Sequence, residues 1–214
     1  MSPAQYFEAE PVVTSRPVEV DLPLPGVAGG LRLVSDRGVF STGRVDTGTL
    51  ALLRSALWAG GSPPPAGDLL DLGCGWGPIA VALARAAPAA TVWALDVNRR
   101  ALDLVAGNAA RSGVGTVRPV TAAAIPADLR FDQIWSNPPV RVGKDALHDL
   151  LSTWLPRLTP TGQAWLVVHR HLGGDSLAAW LAGAGWVVRR AASKAGYRIL
   201  DVRPGGCGAR VGRG

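Results

Sequence analysis

Cysteine is nearly missing from this chain of 214 residues: only Cys74 and Cys207 occur, far apart and without metal-ligand spacing. That argues against a disulfide scaffold and a cysteine-bound metal, and a reducing cytoplasm is the expected setting. Histidine is as scarce, and His148, His169 and His171 show neither metal nor triad spacing, so packing or surface roles are expected for them. Lysine is limited to Lys144 and Lys194, which leaves the positive charge to arginine. No apolar run reaches the roughly 18 residues of a membrane-spanning helix. The opening "MSPAQYFEAEPVV" lacks the basic start and apolar stretch of a secretory signal.

What is present describes a compact protein. Hydrophobic residues make up 48% and charged residues 18%, enough for a full core and too apolar for disorder. The net charge of +6 suits a polyanionic partner such as nucleic acid. A genome base composition that favours alanine, glycine and arginine explains it equally well, so charge alone does not decide function.

Three stretches are expected. Residues 1–45 hold two strand-like runs, 18–22 and 31–34, separated by Pro23, Pro25, Gly26, Gly29 and Gly30, and read as a β-hairpin extension. Residues 46–203 begin with a helix capped by Asp46 or Thr47 and then alternate strand and helix from Asp68 onward. In the fourth helix the apolar series Leu147, Leu150, Leu151, Trp154 and Leu158 runs at helical spacing. The last two strand runs are separated only by a turn and are expected antiparallel. Residues 204–214 read as a disordered tail. The pattern predicts an α/β fold with a mostly parallel, seven-stranded sheet covered on both faces by helices. Ligands on such sheets bind beyond the carboxyl ends of the strands.

A glycine loop lies at such an end. "DLGCGWG", residues 71–77, follows an apolar run and precedes a helix opened by Pro78. Glycine permits a tight turn and close approach of backbone to ligand, and the helix N-terminus offers free N–H groups. The dinucleotide fingerprint would need glycine at position 78, where this chain has proline. The next strand ends in Asp96, about 20 residues beyond the loop, where an acid binds ribose hydroxyls. Loop, helix N-terminus and ribose acid suit a nucleoside without pyrophosphate, and Asp71 favours positive charge on it. S-adenosylmethionine meets these requirements.

"DLGCGWG" followed by "WALDVN" resembles the class I S-adenosylmethionine-dependent methyltransferases. At the end of the fourth strand of the alternating region, "SNPPV" resembles the N/D-P-P-aromatic motif of enzymes that methylate a planar amine: adenine N6, guanine N2 or glutamine N5. "SDRGVFSTGRVDTGT", "SNPPVRVGKDALHDLL" and "GYRIL" extend the likeness to the methyltransferase-small domain family, which includes guanine-N2 methyltransferases of small-subunit rRNA. The resemblance implies a Rossmann-like class I fold with an antiparallel final strand. It implies that Asp71, Gly73, Cys74, Gly75 and Gly77 hold the methionine part of the cofactor and that Asp96 and Val97 lie at the ribose. Asn137, Pro138 and Pro139 would hold the amine, and residues 46–49 would pack over the cofactor. A conjugated amine is a poor nucleophile; if the Asn137 oxygen and the Pro138 carbonyl accept its hydrogens, its lone pair can turn toward the methyl group, so catalysis is positioning and electrostatics.

Three departures accompany the likeness. Ala123 stands where relatives place an adenine-contacting Asp or Asn, leaving backbone and apolar contacts for that ring. Val140 replaces the aromatic after the prolines, and Trp76 is a candidate substitute, though cofactor or core packing suits it better. No counterpart of the additional N-terminal domain of the two-domain rRNA enzymes is expected in these residues. Val140, Arg141, Lys144 and Arg198, with Arg170, His171 and Lys194, form the expected substrate rim. The expectation is RNA methylation, guanine N2 first. Adenine-N6 methylation of RNA or DNA, protein-glutamine N5 methylation and a non-catalytic RNA assembly factor are the rivals. No metal and no membrane partner is expected.

Overall fold

A computed structural model describes residues 10, 12–23, 30–58, 66–139 and 143–205. Val140, Arg141 and the expected tail from residue 206 lie outside the described residues.

Strands β1 (Val18–Leu22) and β2 (Leu31–Ser35) pair antiparallel as a two-stranded sheet. Helix α1 (Thr47–Leu52) follows, capped by the Asp46 side chain, and continues as one π-helical stretch, Leu53–Leu57. The main sheet contains β3 (Ala66–Leu72), β4 (Ala89–Leu95), β5 (Val117–Val120), β6 (Phe131–Ser136), β7 (Leu158–His169), β8 (Val187–Lys194) and β9 (Tyr197–Arg203). Its spatial order is β5-β4-β3-β6-β7-β9-β8, and β9 runs antiparallel to both its neighbours. Helices α2 (Pro78–Ala86), α3 (Arg99–Arg111), α4 (Lys144–Trp154) and α5 (Gly174–Gly183) complete the alternation. The expected sheet is thus present, with its one antiparallel strand. Among the described residues no helix is long and apolar enough to cross a membrane.

The boundary between α4 and β7 differs from the sequence reading. Leu158 completes the helical apolar series, yet α4 ends at Trp154, a 3-10 turn spans Leu155–Arg157, and Leu158 opens β7. Pro156 within that turn has no N–H to continue the helical ladder. Leu158 remains buried, now beside Phe131 in the sheet.

One core layer joins α1, α2, α3 and the hairpin to one face of the sheet; the other packs α4 and α5 against the opposite face. Leu22 and Leu33 of the hairpin are fully buried in the first layer, each contributing about 1.5–3 kcal/mol of burial. Asn108, a buried polar residue of α3, acts as a further strand for the hairpin: its Oδ1 accepts the Val34 N–H at 2.7 Å and its Nδ2 donates to the Val34 carbonyl at 2.8 Å. Nδ2 also donates to the Trp76 carbonyl at 2.8 Å, which ties hairpin, helix and glycine loop together.

The chain leaves β3 for β4 and β5 on one side, then crosses to β6 on the other. Crevices open where strand order reverses in this way. The Ser136 hydroxyl at the end of β6 donates to the Leu72 carbonyl at the end of β3, at 2.7 Å, and so aligns the two loops that follow.

Candidate functional site

The loop after β3 takes a form that glycine makes possible. Gly73, Gly75 and Gly77 have φ of 75°, 53° and 89°, in the region side chains disfavour. The N–H groups of Gly73 and Cys74 both donate to the Leu95 carbonyl at 2.9 Å, anchoring the loop on the end of β4. The three glycines do different work. A Cβ at Gly73 or Gly75 would meet nothing within 4 Å, whereas one at Gly77 would stand 2.9 Å from Val105 of α3. Gly77 therefore serves helix packing, and the open space lies in front of Gly73 and Gly75.

Asp71 and Asp96 support the loop from behind and beside. Asp71 is fully buried; its Oδ2 accepts the Ala80 N–H at 2.9 Å, and its Oδ1 has no hydrogen-bond partner among the described residues. Burial pushes its carboxyl up to about 8; the Ala80 N–H opposes the rise and the nearby Asp96 adds to it. Asp96 accepts from Gly75 N at 2.9 Å and from Asn98 N at 2.9 Å. Burial raises its carboxyl too, against the lowering effect of N–H donors from Asn98, Gly75 and Val97. Burial, then the charges of Asp96 and Asp71, push the Cys74 thiol well above its usual range.

The loops line an open cleft. Its wall brings together Gly73, Cys74, Gly75 and Trp76 from the glycine loop, Asp46 and Thr49 from the start of α1, Phe40 and Ser41 from the preceding turn, and Asn137 after β6. Trp76 is buried, and its indole N–H donates to the Phe40 carbonyl at 3.1 Å. That bond ties the turn to the glycine loop, and Phe40 is 46% exposed.

Asn137 is the polar focus. Its Nδ2 donates to Asp46 Oδ2 at 2.8 Å and to Thr49 Oγ1 at 3.1 Å. A carboxylate only accepts, so the amide nitrogen must face Asp46. Asn137 Oδ1 is then the unengaged atom, without a protein donor among the described residues, on a side chain that lines the cleft. Pro138 behind it is buried and Pro139 half-buried.

Other expected site residues lie off this wall. Val97 is 53% exposed beyond Asp96, and Ala123 is exposed in the 3-10 turn Ala122–Ala124. Lys144 is exposed at the first turn of α4. Arg198, also expected on the rim, donates to Asp175 Oδ1 of α5 at 3.2 Å and to Ser193 Oγ of β8 at 3.2 Å. Arg170 donates to His171 at 2.9 Å on an exposed turn, and His148 stacks on Trp180 at 3.9 Å. The sequence reading missed Phe40. Its one signal was an aromatic in the turn leading to the helix cap.

Comparison with known proteins agrees with this architecture. The methyltransferase small domain family matches residues 30–201. The uncharacterized protein YbxB of Bacillus subtilis is 32% identical over 172 residues, 79% of this chain and 84% of that protein. Ribosomal RNA small subunit methyltransferase C of Acinetobacter baumannii is 34% identical over 143 residues, 63% of this chain and 41% of that protein. A solved T. thermophilus 16S rRNA N2 G1207 methyltransferase, in complex with AdoMet and guanosine, superposes with a TM-score of 0.71. The match is 23% identical and covers 91% of this chain and 52% of that one; it shows the fold. This chain thus spans 41% and 52% of the two rRNA methyltransferases named.

Proposed function

The chain belongs to the methyltransferase small domain family, and from that premise we propose that it transfers the methyl group of S-adenosylmethionine to an exocyclic amine of RNA, guanine N2 of small-subunit rRNA first. The observation that carries the reading is the Asn137 carboxamide, held by its nitrogen so that its oxygen remains for an incoming donor.

The residues present fit the cofactor. Gly73 and Gly75 leave room for its amino-acid end, the unpartnered Asp71 Oδ1 suits its ammonium, directly or through water, and Asp96 keeps free lone pairs for ribose hydroxyls. Bound there, the cofactor supplies a methyl group on a sulfonium. The protein's part is to hold the amine by Asn137 Oδ1 and the Pro138 carbonyl. The exposed Phe40 ring on the cleft wall is the surface on which a base would lie, in place of the aromatic lacking at position 140. The names of the relatives, rRNA methyltransferases of which one was solved with guanosine, support guanine over adenine.

The test is incubation with labelled S-adenosylmethionine and unmodified small-subunit rRNA or subunits, beside a total-protein fraction, followed by digestion to nucleosides. Label is expected in N2-methylguanosine and should vanish with Asn137→Ala, while Phe40→Ala raises KM for RNA. Label in N6-methyladenosine moves the target to adenine. Label only in protein rejects RNA in favour of glutamine. Cofactor binding without any transfer to RNA or protein rejects the enzyme reading on these substrates and favours the assembly factor.

A further inference from the structure

The position of Asn137 comes from β6, but the direction of its carboxamide comes from a residue 91 positions earlier. Asp46 is itself rigidly held. Its Oδ2 accepts from Gly48 N at 2.7 Å and Thr49 N at 3.2 Å as the N-cap of α1. The first turn of α1 is pressed against β9: a Cβ on Gly48 would stand 2.7 Å from the Tyr197 ring and 2.9 Å from Asp46 Oδ2. One carboxylate oxygen thus caps a helix and receives the Asn137 amide.

The two duties make different demands. Capping needs only an acceptor, and Ser, Thr or Asn serve almost as well as Asp. Fixing a carboxamide needs a group that cannot donate, because a donor would accept the reversed amide equally well. Thr49 Oγ1, at 3.1 Å from Asn137 Nδ2, can do either and so adds grip without direction. Asp46 alone discriminates between the two orientations.

We propose that Asp46 is a positioning residue for methyl transfer: it locks the Asn137 carboxamide with Oδ1 toward the target amine and strengthens that oxygen as an acceptor. The inference rests on the proposed function, in which Asn137 holds an amine. In the reaction the amine lone pair forms the N–C bond, the C–S bond breaks with its electron pair returning to sulfur, and one amine proton passes to water. Positive charge builds on the amine as this happens. A negative charge on the far side of the Asn137 amide draws its N–H groups and raises electron density on Oδ1, where the amine hydrogen is accepted.

The test uses the full chain with Asp46→Ser, Thr49→Val and Thr49→Ser, read in two ways. In 15N-edited NMR spectra without ligand, the Asn137 NH2 pair, assigned by its loss in Asn137→Asp, should lie well away from free side-chain amides. In Asp46→Ser, whose hydroxyl can donate to a reversed amide, it should move back toward them, with a Tm within about 2 °C of wild type because serine still caps α1. In methyl transfer at saturating cofactor, Asp46→Ser should lower kcat by about 10- to 100-fold. Thr49→Val should lose about 3- to 10-fold and Thr49→Ser should recover it. An NH2 pair indifferent to Asp46→Ser, or an Asp46→Ser enzyme with wild-type kcat, overturns the proposal. If the wild type methylates no RNA, the substrate reading fails while the NMR result still decides whether Asp46 sets the direction of Asn137.

Discussion

Asp96 Oδ2 accepts the Gly75 N–H at 2.9 Å, so the carboxylate that follows β4 closes the glycine loop that follows β3. The same carboxylate receives the Asn98 N–H at the start of α3 and retains lone pairs for a ligand. Structural and binding roles can therefore be separated by substitution. Asp96→Asn keeps one oxygen for Gly75 but turns its NH2 toward the Asn98 N–H, so Tm should fall by a few degrees, while S-adenosylmethionine Kd, measured by calorimetry, rises by about 10- to 100-fold. Asp96→Ala strands the Gly75 N–H and should lower Tm as well. An Asp96→Asn protein that binds with wild-type affinity would remove the ribose from this residue.

The division of labour among the glycines gives a second separation. Gly77→Ala places a methyl 2.9 Å from Val105 at φ 89° and should destabilise the protein by about 2–4 kcal/mol in denaturant unfolding. Adding Val105→Ala should recover part of that loss, a coupling expected only of touching residues. Gly73→Ala meets open space and carries only the backbone cost of φ 75°, about 1 kcal/mol, but its methyl enters the volume reserved for ligand, so binding suffers more than stability. Equal stability losses without coupling to Val105 would contradict the assignment.

The same contrast marks what a sequence discloses. Periodicity and turn chemistry are local, so β3 to β9, the Asp46 and Asn98 caps and the loop at a strand's carboxyl end were legible. Spacing alone could not separate Gly77 from Gly73, because the difference lies in Val105, 28 positions away across the α2–α3 contact. The pairing of Arg198 with Asp175 was not legible, because Asp175 lies 23 residues earlier, on another element. Asp46 was visible as a cap but not as the partner of Asn137, a meeting that exists only once the sheet forms. Leu158 shows the local signal misleading: a three-residue 3-10 turn and then a strand begin where the helical period still holds, and Pro156 decides.

The buried Asp71 carboxyl makes stability depend on pH. In the folded protein its pKa stands near 8 because of burial, against about 3.9 in the unfolded chain. An acid whose pKa is raised by folding contributes fully below the unfolded value. Between about pH 4 and pH 8 the unfolded state has released the proton and the native state has not, so stability falls steadily across that window. Asp96, also raised, acts with the same sign. Asp71→Asn keeps an acceptor for the Ala80 N–H and cannot ionise. Its ligand-free Tm, scanned from pH 5 to pH 8, should therefore fall less than that of wild type, with the gap widest at pH 8 and the remaining slope due to Asp96. If the cofactor's ammonium is held at Asp71 Oδ1, binding at pH 7 should expel the proton, seen in wild type as a binding enthalpy that changes with the buffer's ionisation enthalpy and absent from Asp71→Asn. Parallel Tm slopes in the two proteins would mean that Asp71 is already charged inside the fold, and that its unpartnered oxygen awaits a cation rather than a proton.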